Sequence, residues 1–180
     1  MPFLNWGKMK MSKLYQYYVE GDCERKLINE LKMSPNNYLI PGKVDIFNFI
    51  NKKISNQRIA YLKKNTIIIL VYDIDVENTS ILEDNISKLK KFGFNKIIHI
   101  QSINNFEEEI VYSTNLKNIN SMYSTQSYNE FKRNFLHQKD IVKKLQSFNF
   151  DKNKLWSRKN SIDPFSKYSN KSNINSIKQK

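Results

Sequence analysis

The clearest structural signal in the chain is the stretch TIIILVY at residues 66–72. A continuous run of apolar and β-branched residues bounded by polar ones is typical of a strand that is covered on both faces. Such strands occur in α/β folds, where helices pack on both sides of a parallel sheet. The stretch therefore predicts a buried strand of a parallel sheet.

Strand and helix patterns alternate on either side of this stretch. Further strands are predicted at residues 14–19, 44–47 and 96–103, and helices at 23–33, 49–62 and 79–92. Past residue 104 the pattern is helical, at 106–113, 116–122 and 128–148. The alternation implies right-handed crossovers between parallel strands. It predicts an α/β, Rossmann-like fold with a mainly parallel sheet of about four strands flanked by helices, then a helical C-terminal extension with a basic tail.

The length of 180 residues suits one domain with a sizeable core. We expect the α/β core at residues 13–110, a helical extension packed on it at 111–150, and a basic, partly flexible tail at 151–180. Lys, Ser and Asn are frequent in the tail. Trp156 and Phe165 are the tail residues that we expect to dock onto the body.

The composition indicates which kinds of binding partner and which cellular location to expect. The formal net charge of +13 attracts polyanions and favours nucleic acid as the partner. Cys23 is the single cysteine, which excludes an intramolecular disulfide and a Cys-rich zinc site. No stretch reaches the ~18 apolar residues of a membrane span, and residues 1–13 lack the apolar core of a signal peptide. We therefore expect a soluble, cytoplasmic protein without a membrane partner.

Acidic side chains follow two of the predicted strands. Glu20 follows the first strand, and Asp73 and Asp75 follow residues 66–72, two positions apart, so that they point to the same side. Glu24 lies one helical turn after Glu20. Ligands of such sheets bind outside the carboxyl ends of the strands. Converging carboxylates repel one another without a cation, so Glu20, Asp73 and Asp75 predict a site for Mg²⁺ or Mn²⁺.

Two segments resemble the motifs of Toprim domains. The sequence YYVEGDCE at residues 17–24 resembles the V-E-G-x-x-E motif at the end of their first strand, and VYDID at residues 71–75 resembles their D-x-D motif. The resemblance covers about residues 13–110 and is strongest to stand-alone and overcoming-lysogenization-defect (OLD) Toprim nucleases. It implies a Mg²⁺-dependent, phosphodiester-cleaving nuclease that acts on DNA or RNA, with a role in phage or mobile-element defence.

The resemblance also implies roles for individual residues. Glu20 matches the glutamate that acts as general acid/base or metal ligand, and Glu24 matches the extra acidic ligand of the nuclease branch. Both glutamates are candidate catalytic residues. Asp73 and Asp75 match the magnesium-binding pair. Nuclease members carry another acid after the last core strand, for which Glu107, Glu108 and Glu109 are candidates. The chain has no ATPase domain like that of OLD proteins, so a separate ATPase is a candidate protein partner.

Each of these acids also has an ordinary structural interpretation. Asp73 and Asp75 can cap the following helix at its positive end. Glu77 is either a third metal ligand or a first-turn glutamate, and the acids at 107–109 are either catalytic or a solvated helix start. The alternative functions are a non-catalytic nucleic-acid-binding protein and a Toprim subunit that works only with a partner ATPase.

Overall fold

The computed structural model describes residues 13–75, 77–159, 163–169 and 172–179. Within these ranges, four parallel strands form one sheet in the order β2-β1-β3-β4. The strands are β1 (Leu14–Val19), β2 (Lys43–Ile46), β3 (Thr66–Asp73) and β4 (Ile97–Ser102). The prediction of an α/β fold with a mainly parallel sheet is confirmed.

Helices follow each strand and continue after the sheet. They are α1 (Asp22–Lys32), α2 (Asn56–Ala60), α3 (Ser80–Lys91), α4 (Phe106–Tyr112), α5 (Tyr128–His137), α6 (Ile141–Gln146) and α7 (Ser172–Asn175). Short 3₁₀ turns lie at Ile119–Met122 and Ser166–Tyr168. No described helix is both long and apolar enough to cross a lipid bilayer.

The two central strands, β1 and β3, bury side chains on both faces of the sheet. Tyr17 and Ile69 face a core that α1, α4, α5 and α6 complete. Tyr18 and Leu70 face the opposite core, which contains apolar residues of α2 and α3. Because side chains alternate along a strand, a segment covered on both faces has no polar positions. This explains the uninterrupted apolar character of residues 66–72.

The helix predicted at residues 49–62 is wrong in extent, because only Asn56–Ala60 is helical. The buried side chain of Asn85 on α3 hydrogen-bonds three backbone groups of the segment before α2, those of Phe49, Lys52 and Ile54. A side chain that satisfies backbone groups in this way replaces the hydrogen bonds that a helix would make.

The single helix predicted at residues 128–148 is two helices, α5 and α6. Asp140 caps the second helix, where its Oδ1 accepts a hydrogen bond from the backbone N of Lys143. Glu30 of α1 reaches the same terminus, and its Oε2 accepts hydrogen bonds from the backbone N of Ile141 and Val142. Exposed backbone N–H groups at a helix start favour such carboxylates, so the contact with α1 stabilises the break. The helix predicted at 116–122 is only the 3₁₀ turn Ile119–Met122.

The described parts of the C-terminal segment pack against the core. Trp156 is buried, and its Nε1 donates a hydrogen bond to Ser102 Oγ at 3.3 Å. Phe165 is buried on the other face of the sheet, in contact with the ring of Tyr72. The expected docking of these two aromatic residues is therefore observed.

Candidate active site

Glu20 joins the carboxyl ends of the two central strands. It follows β1, and its Oε1 lies 3.4 Å from the backbone N of Asp73, the last residue of β3. Its Oε2 accepts a hydrogen bond of 3.1 Å from Nδ2 of Asn48, which lies beyond β2. Because β1 and β3 are parallel neighbours, their ends lie at the same edge of the sheet. The expected convergence of Glu20 and Asp73 is observed.

Glu24 reaches the same edge from the first turn of α1. Its side chain is largely buried, with 8% of the residue exposed. A Cβ atom at position 21 would lie only 3.1 Å from Glu24 Oε2, so Gly21 leaves the space that this carboxylate occupies. The glycine of the V-E-G-x-x-E segment thus allows close approach of the second glutamate to the strand end.

A cavity of about 370 Å³ contains the convergent acids. Its acidic lining residues come from the ends of both central strands and from two helices. The candidate catalytic or metal-binding residues among them are Glu20, Glu24, Asp73 and Glu107. Asn48, Tyr128 and Lys132 also line it. The cavity is therefore locally acidic, although the protein as a whole has a net charge of +13.

Burial and mutual repulsion raise the pKa values of these acids. Burial, followed by the charges of Glu20 and Glu24, raises the pKa of Asp73 to about 8. The pKa of Glu20 rises to about 7, mainly through burial, although the backbone N–H of Asp73 opposes the shift. Burial also raises the pKa of Glu24 to about 6. Three acids of this cavity therefore titrate near neutral pH.

The oxygen donors of the cavity fit a hard divalent cation. Asp73 Oδ1 is buried and has no hydrogen-bond partner among the described residues, although the Ser102 hydroxyl interacts with this carboxyl group and lowers its pKa. A cation is the natural partner of such an oxygen beside other carboxylates. Within the described ranges, however, no three His, Cys, Asp or Glu side chains are already arranged around one point as a metal ligand set. Glu20, Asp73 and Asp75 thus do not form a ready ligand set in the described structure.

Asp75 and Glu77 are more exposed to solvent than Asp73. Asp75 is exposed and lines a second, larger cavity of about 800 Å³, to which Asp73 also contributes. The charge of Asp75 contributes to the raised pKa of Glu20, which places it within electrostatic range of the first cavity. Glu77 is exposed and, among the described residues, is not part of the lining of either cavity.

The three consecutive glutamates at the start of α4 have different surroundings. Glu107 lines both cavities and accepts a hydrogen bond from the Tyr128 hydroxyl. Glu108 lines only the larger cavity, is exposed, and accepts a hydrogen bond from Asn104 Nδ2 at 2.6 Å. Glu109 is fully buried. Of the three candidates, Glu107 is the one that the fold places beside Glu20, Glu24 and Asp73.

Glu109 holds the segment after α6 onto the sheet. Its carboxylate accepts hydrogen bonds from the backbone N of Ile103 and Trp156 and from the guanidinium of Arg158, with the closest contact at 2.6 Å. A buried carboxylate with this many donors has a structural function.

We expect Glu109→Gln to lower the free energy of unfolding by about 3 kcal/mol, because Arg158 would lose its buried anionic partner. Urea denaturation of Glu109→Gln and of the exposed neighbour Glu108→Gln measures the difference. Equal midpoints for the two variants would contradict the structural role of Glu109.

Two site residues, Tyr128 and Lys132, were not anticipated from the sequence. They lie one turn apart on α5, and Lys132 Nζ is 4.3 Å from the centre of the Tyr128 ring. Lys132 lowers the pKa of Glu24, although burial outweighs this effect. Their four-residue spacing is the only local signal, and it shows a shared helix face without showing what that face contacts.

Fold and site together define an α/β protein with an acidic cavity at the carboxyl edge of a parallel sheet. Comparison with known protein families, with curated proteins and with solved structures found no match to this chain.

Proposed function

We propose that the protein is a Mg²⁺-dependent nuclease of the Toprim type that hydrolyses phosphodiester bonds in DNA or RNA. The observation that supports this most is the meeting of Glu20 and Asp73 at a cavity that Glu24 and Glu107 also line. The V-E-G-x-x-E and D-x-D segments contribute three of these four acids.

Glu20, Asp73 and Asp75 are the proposed ligands of Mg²⁺, or of Mn²⁺ in its place. When bound, the cation would neutralise these acids, polarise a phosphoryl oxygen and lower the pKa of a water molecule. Asp73 Oδ1 is the strongest candidate ligand because it is buried without a hydrogen-bond partner among the described residues.

Glu24 and Glu107 are proposed to manage protons. Glu24, with a pKa raised to about 6, can accept the proton of the water that attacks phosphorus. The Tyr128 hydroxyl orients Glu107 by donating to its Oε1. Once Glu24 has gained the proton of the attacking water, it can return that proton to the oxygen released when the P–O bond breaks.

Lys132 is proposed to bind a phosphate next to the scissile bond, because it is the cationic residue of the acidic cavity. The net charge of +13 would hold the rest of the polyanion without sequence preference. We infer action in the cytoplasm and a role in phage or mobile-element defence, either alone or together with a partner ATPase.

Cleavage assays with labelled single-stranded and duplex DNA and RNA test the proposal. The wild type is expected to form products with Mg²⁺ and none with EDTA. Glu20→Gln is expected to reduce the rate by about a hundredfold or more, because it removes one ligand charge at the strand junction. The matched control is Asp45→Asn, a carboxylate on the adjacent strand β2 that pairs with Lys43 outside the cavity. Equal cleavage rates for the wild type, Glu20→Gln and Asp45→Asn would refute the proposal. Cleavage rates that are the same in EDTA as in Mg²⁺ would also refute it.

A second candidate function is non-catalytic nucleic-acid binding. The net charge of +13 favours it, as does the finding that no three acidic side chains of the described residues are placed as a metal ligand set. This function predicts salt-sensitive binding that needs no divalent cation. It also predicts that no cleavage product forms at any concentration of Mg²⁺ or Mn²⁺.

A further inference from the structure

The larger cavity is an open groove that continues from the acidic site. It has a volume of about 800 Å³, within the range of about 300–1,000 Å³ that is typical of ligand sites. Asp73, Glu107 and Tyr128 line both cavities, so the groove begins at the proposed reaction centre. Tyr112 and Lys117 lie only in the larger one.

Tyr112 is the last residue of α4 and is one of the residues that line this groove. The guanidinium carbon of Arg158 lies 4.9 Å from the ring centre. Tyr112 is nevertheless 41% exposed. Part of Tyr112 therefore remains accessible beside the guanidinium, which lines the same groove.

Arg158 is itself held in place, which makes Tyr112 a supported aromatic surface. Its Nη2 lies 2.6 Å from Oε1 of the fully buried Glu109 and donates to the carbonyl oxygen of Ile103 at 3.1 Å. Its Nε donates to the same Glu109 oxygen at 3.0 Å. A ring backed by a fixed cation loses little freedom when a second planar group stacks on it.

A planar base is the ligand that this arrangement suits. Aromatic rings bind unpaired bases by stacking, irrespective of sequence, while nearby cations bind the backbone phosphates. Lys117 supplies such a cation in the same groove. Bases within a duplex have both faces covered by neighbouring pairs and cannot stack on a protein ring unless they leave the helix.

We propose that the groove binds an unpaired nucleotide of a single-stranded nucleic acid, with its base stacked on Tyr112 and a phosphate at Lys117. The inference rests on the proposed function, since it places the strand so that it leads to the carboxylates. It names single-stranded DNA or RNA, or an unpaired end, as the substrate class.

Fluorescence anisotropy with a labelled single-stranded oligonucleotide in EDTA tests the proposal, because binding is then measured without cleavage. Tyr112→Ala is expected to weaken binding by about fivefold or more, and Tyr112→Trp to restore it. The control Tyr61→Ala removes a ring that is 79% exposed and lines a different cavity, so it should bind like the wild type. A fully paired duplex should bind equally well to the wild type and to Tyr112→Ala.

A base analogue in the oligonucleotide whose fluorescence is quenched by stacking provides a second readout. Quenching by the wild type and by Tyr112→Trp, but not by Tyr112→Ala, is expected. Unchanged affinity and quenching in Tyr112→Ala, or an equal loss in Tyr61→Ala, would overturn the groove proposal. Binding that depends on Tyr112 in a protein that never cleaves would refute the nuclease function alone. Cleavage by the wild type together with oligonucleotide binding that is independent of Tyr112 would refute the groove alone.

Discussion

Asp73→Asn is expected to abolish Mg²⁺-dependent cleavage and at the same time to make the protein more stable in EDTA. Asp73 lies where the central strand β3 ends, and its Oδ1 is buried without a hydrogen-bond partner among the described residues. Its raised pKa, about 8, reflects the cost of burying a charge beside Glu20 and Glu24. An asparagine of the same shape removes that cost.

The two effects have opposite signs because one carboxylate is responsible for both. Cleavage is expected to fall by about a hundredfold or more, since the amide is a poor substitute for a charged metal ligand. The melting temperature in EDTA is expected to rise by about 5 °C, which corresponds to roughly 2 kcal/mol for a chain of this size. Active-site groups that are unfavourable for folding behave in this way.

Asp84→Asn is the matched control, because Asp84 is an exposed carboxylate on α3 that pairs with Lys53. It should change neither cleavage nor melting temperature, since exposed ion pairs contribute little. Full cleavage activity in Asp73→Asn would exclude Asp73 as a metal ligand. A lower melting temperature in EDTA would show that its charge stabilises the fold.

The second large effect is the pH dependence of stability in EDTA. Asp73 has a pKa of about 8 in the folded chain against an ordinary value of 3.8, and the pKa of Glu20 is raised to about 7. At a pH between the folded and unfolded values, the folded state binds more protons than the unfolded state. Stability must therefore fall as the pH rises through this window, and rise as the pH falls.

The most informative range is pH 6.5 to 8. Below it, His99 opposes the trend, because burial lowers its pKa from 6.5 to about 4 and the folded state then binds fewer protons than the unfolded state. Between pH 6.5 and 8, we expect the free energy of unfolding of the wild type to decrease by about 1 kcal/mol or more. Asp73→Asn should show a clearly smaller decrease.

Mg²⁺ should reverse this trend, because the cation binds the ionised acids of the folded state. Its stabilising effect is therefore expected to be larger at pH 8 than at pH 6.5. Urea denaturation at both values, with Mg²⁺ or EDTA, measures all four conditions. Identical pH slopes for the wild type and Asp73→Asn would show that Asp73 has an ordinary pKa. A Mg²⁺ effect that is independent of pH would argue against binding at these acids.

Local patterns in the sequence determined the fold class and the strand ends. Residues 66–72 are apolar throughout because both faces of β3 are covered, and this property is visible without a structure. The placement of Glu20 and Asp73 at strand ends follows directly from where the apolar runs stop. Parallel pairing of β1 with β3 then brings these two acids together.

Tertiary contacts decided where two of the predicted helices end. Asn85 hydrogen-bonds the backbone before α2, and Glu30 caps α6, although each lies far along the chain from its partner. Helical periodicity in the sequence carries no information about such distant hydrogen bonds, since they depend on which elements pack together. The predictions at 49–62 and 128–148 were too long for this reason.

The same reason separates the three glutamates at 107–109. Consecutive residues on a helix point in directions about 100° apart, so one faces the acidic cavity, one faces solvent and one is buried. Their identities are the same, and only the packing of α4 against its neighbours distinguishes them. Tyr128 and Lys132 likewise join the site through the packing of α5 on α1. The sequence alone thus determined the sheet and the acids at its edge, whereas tertiary packing determined which other side chains face them.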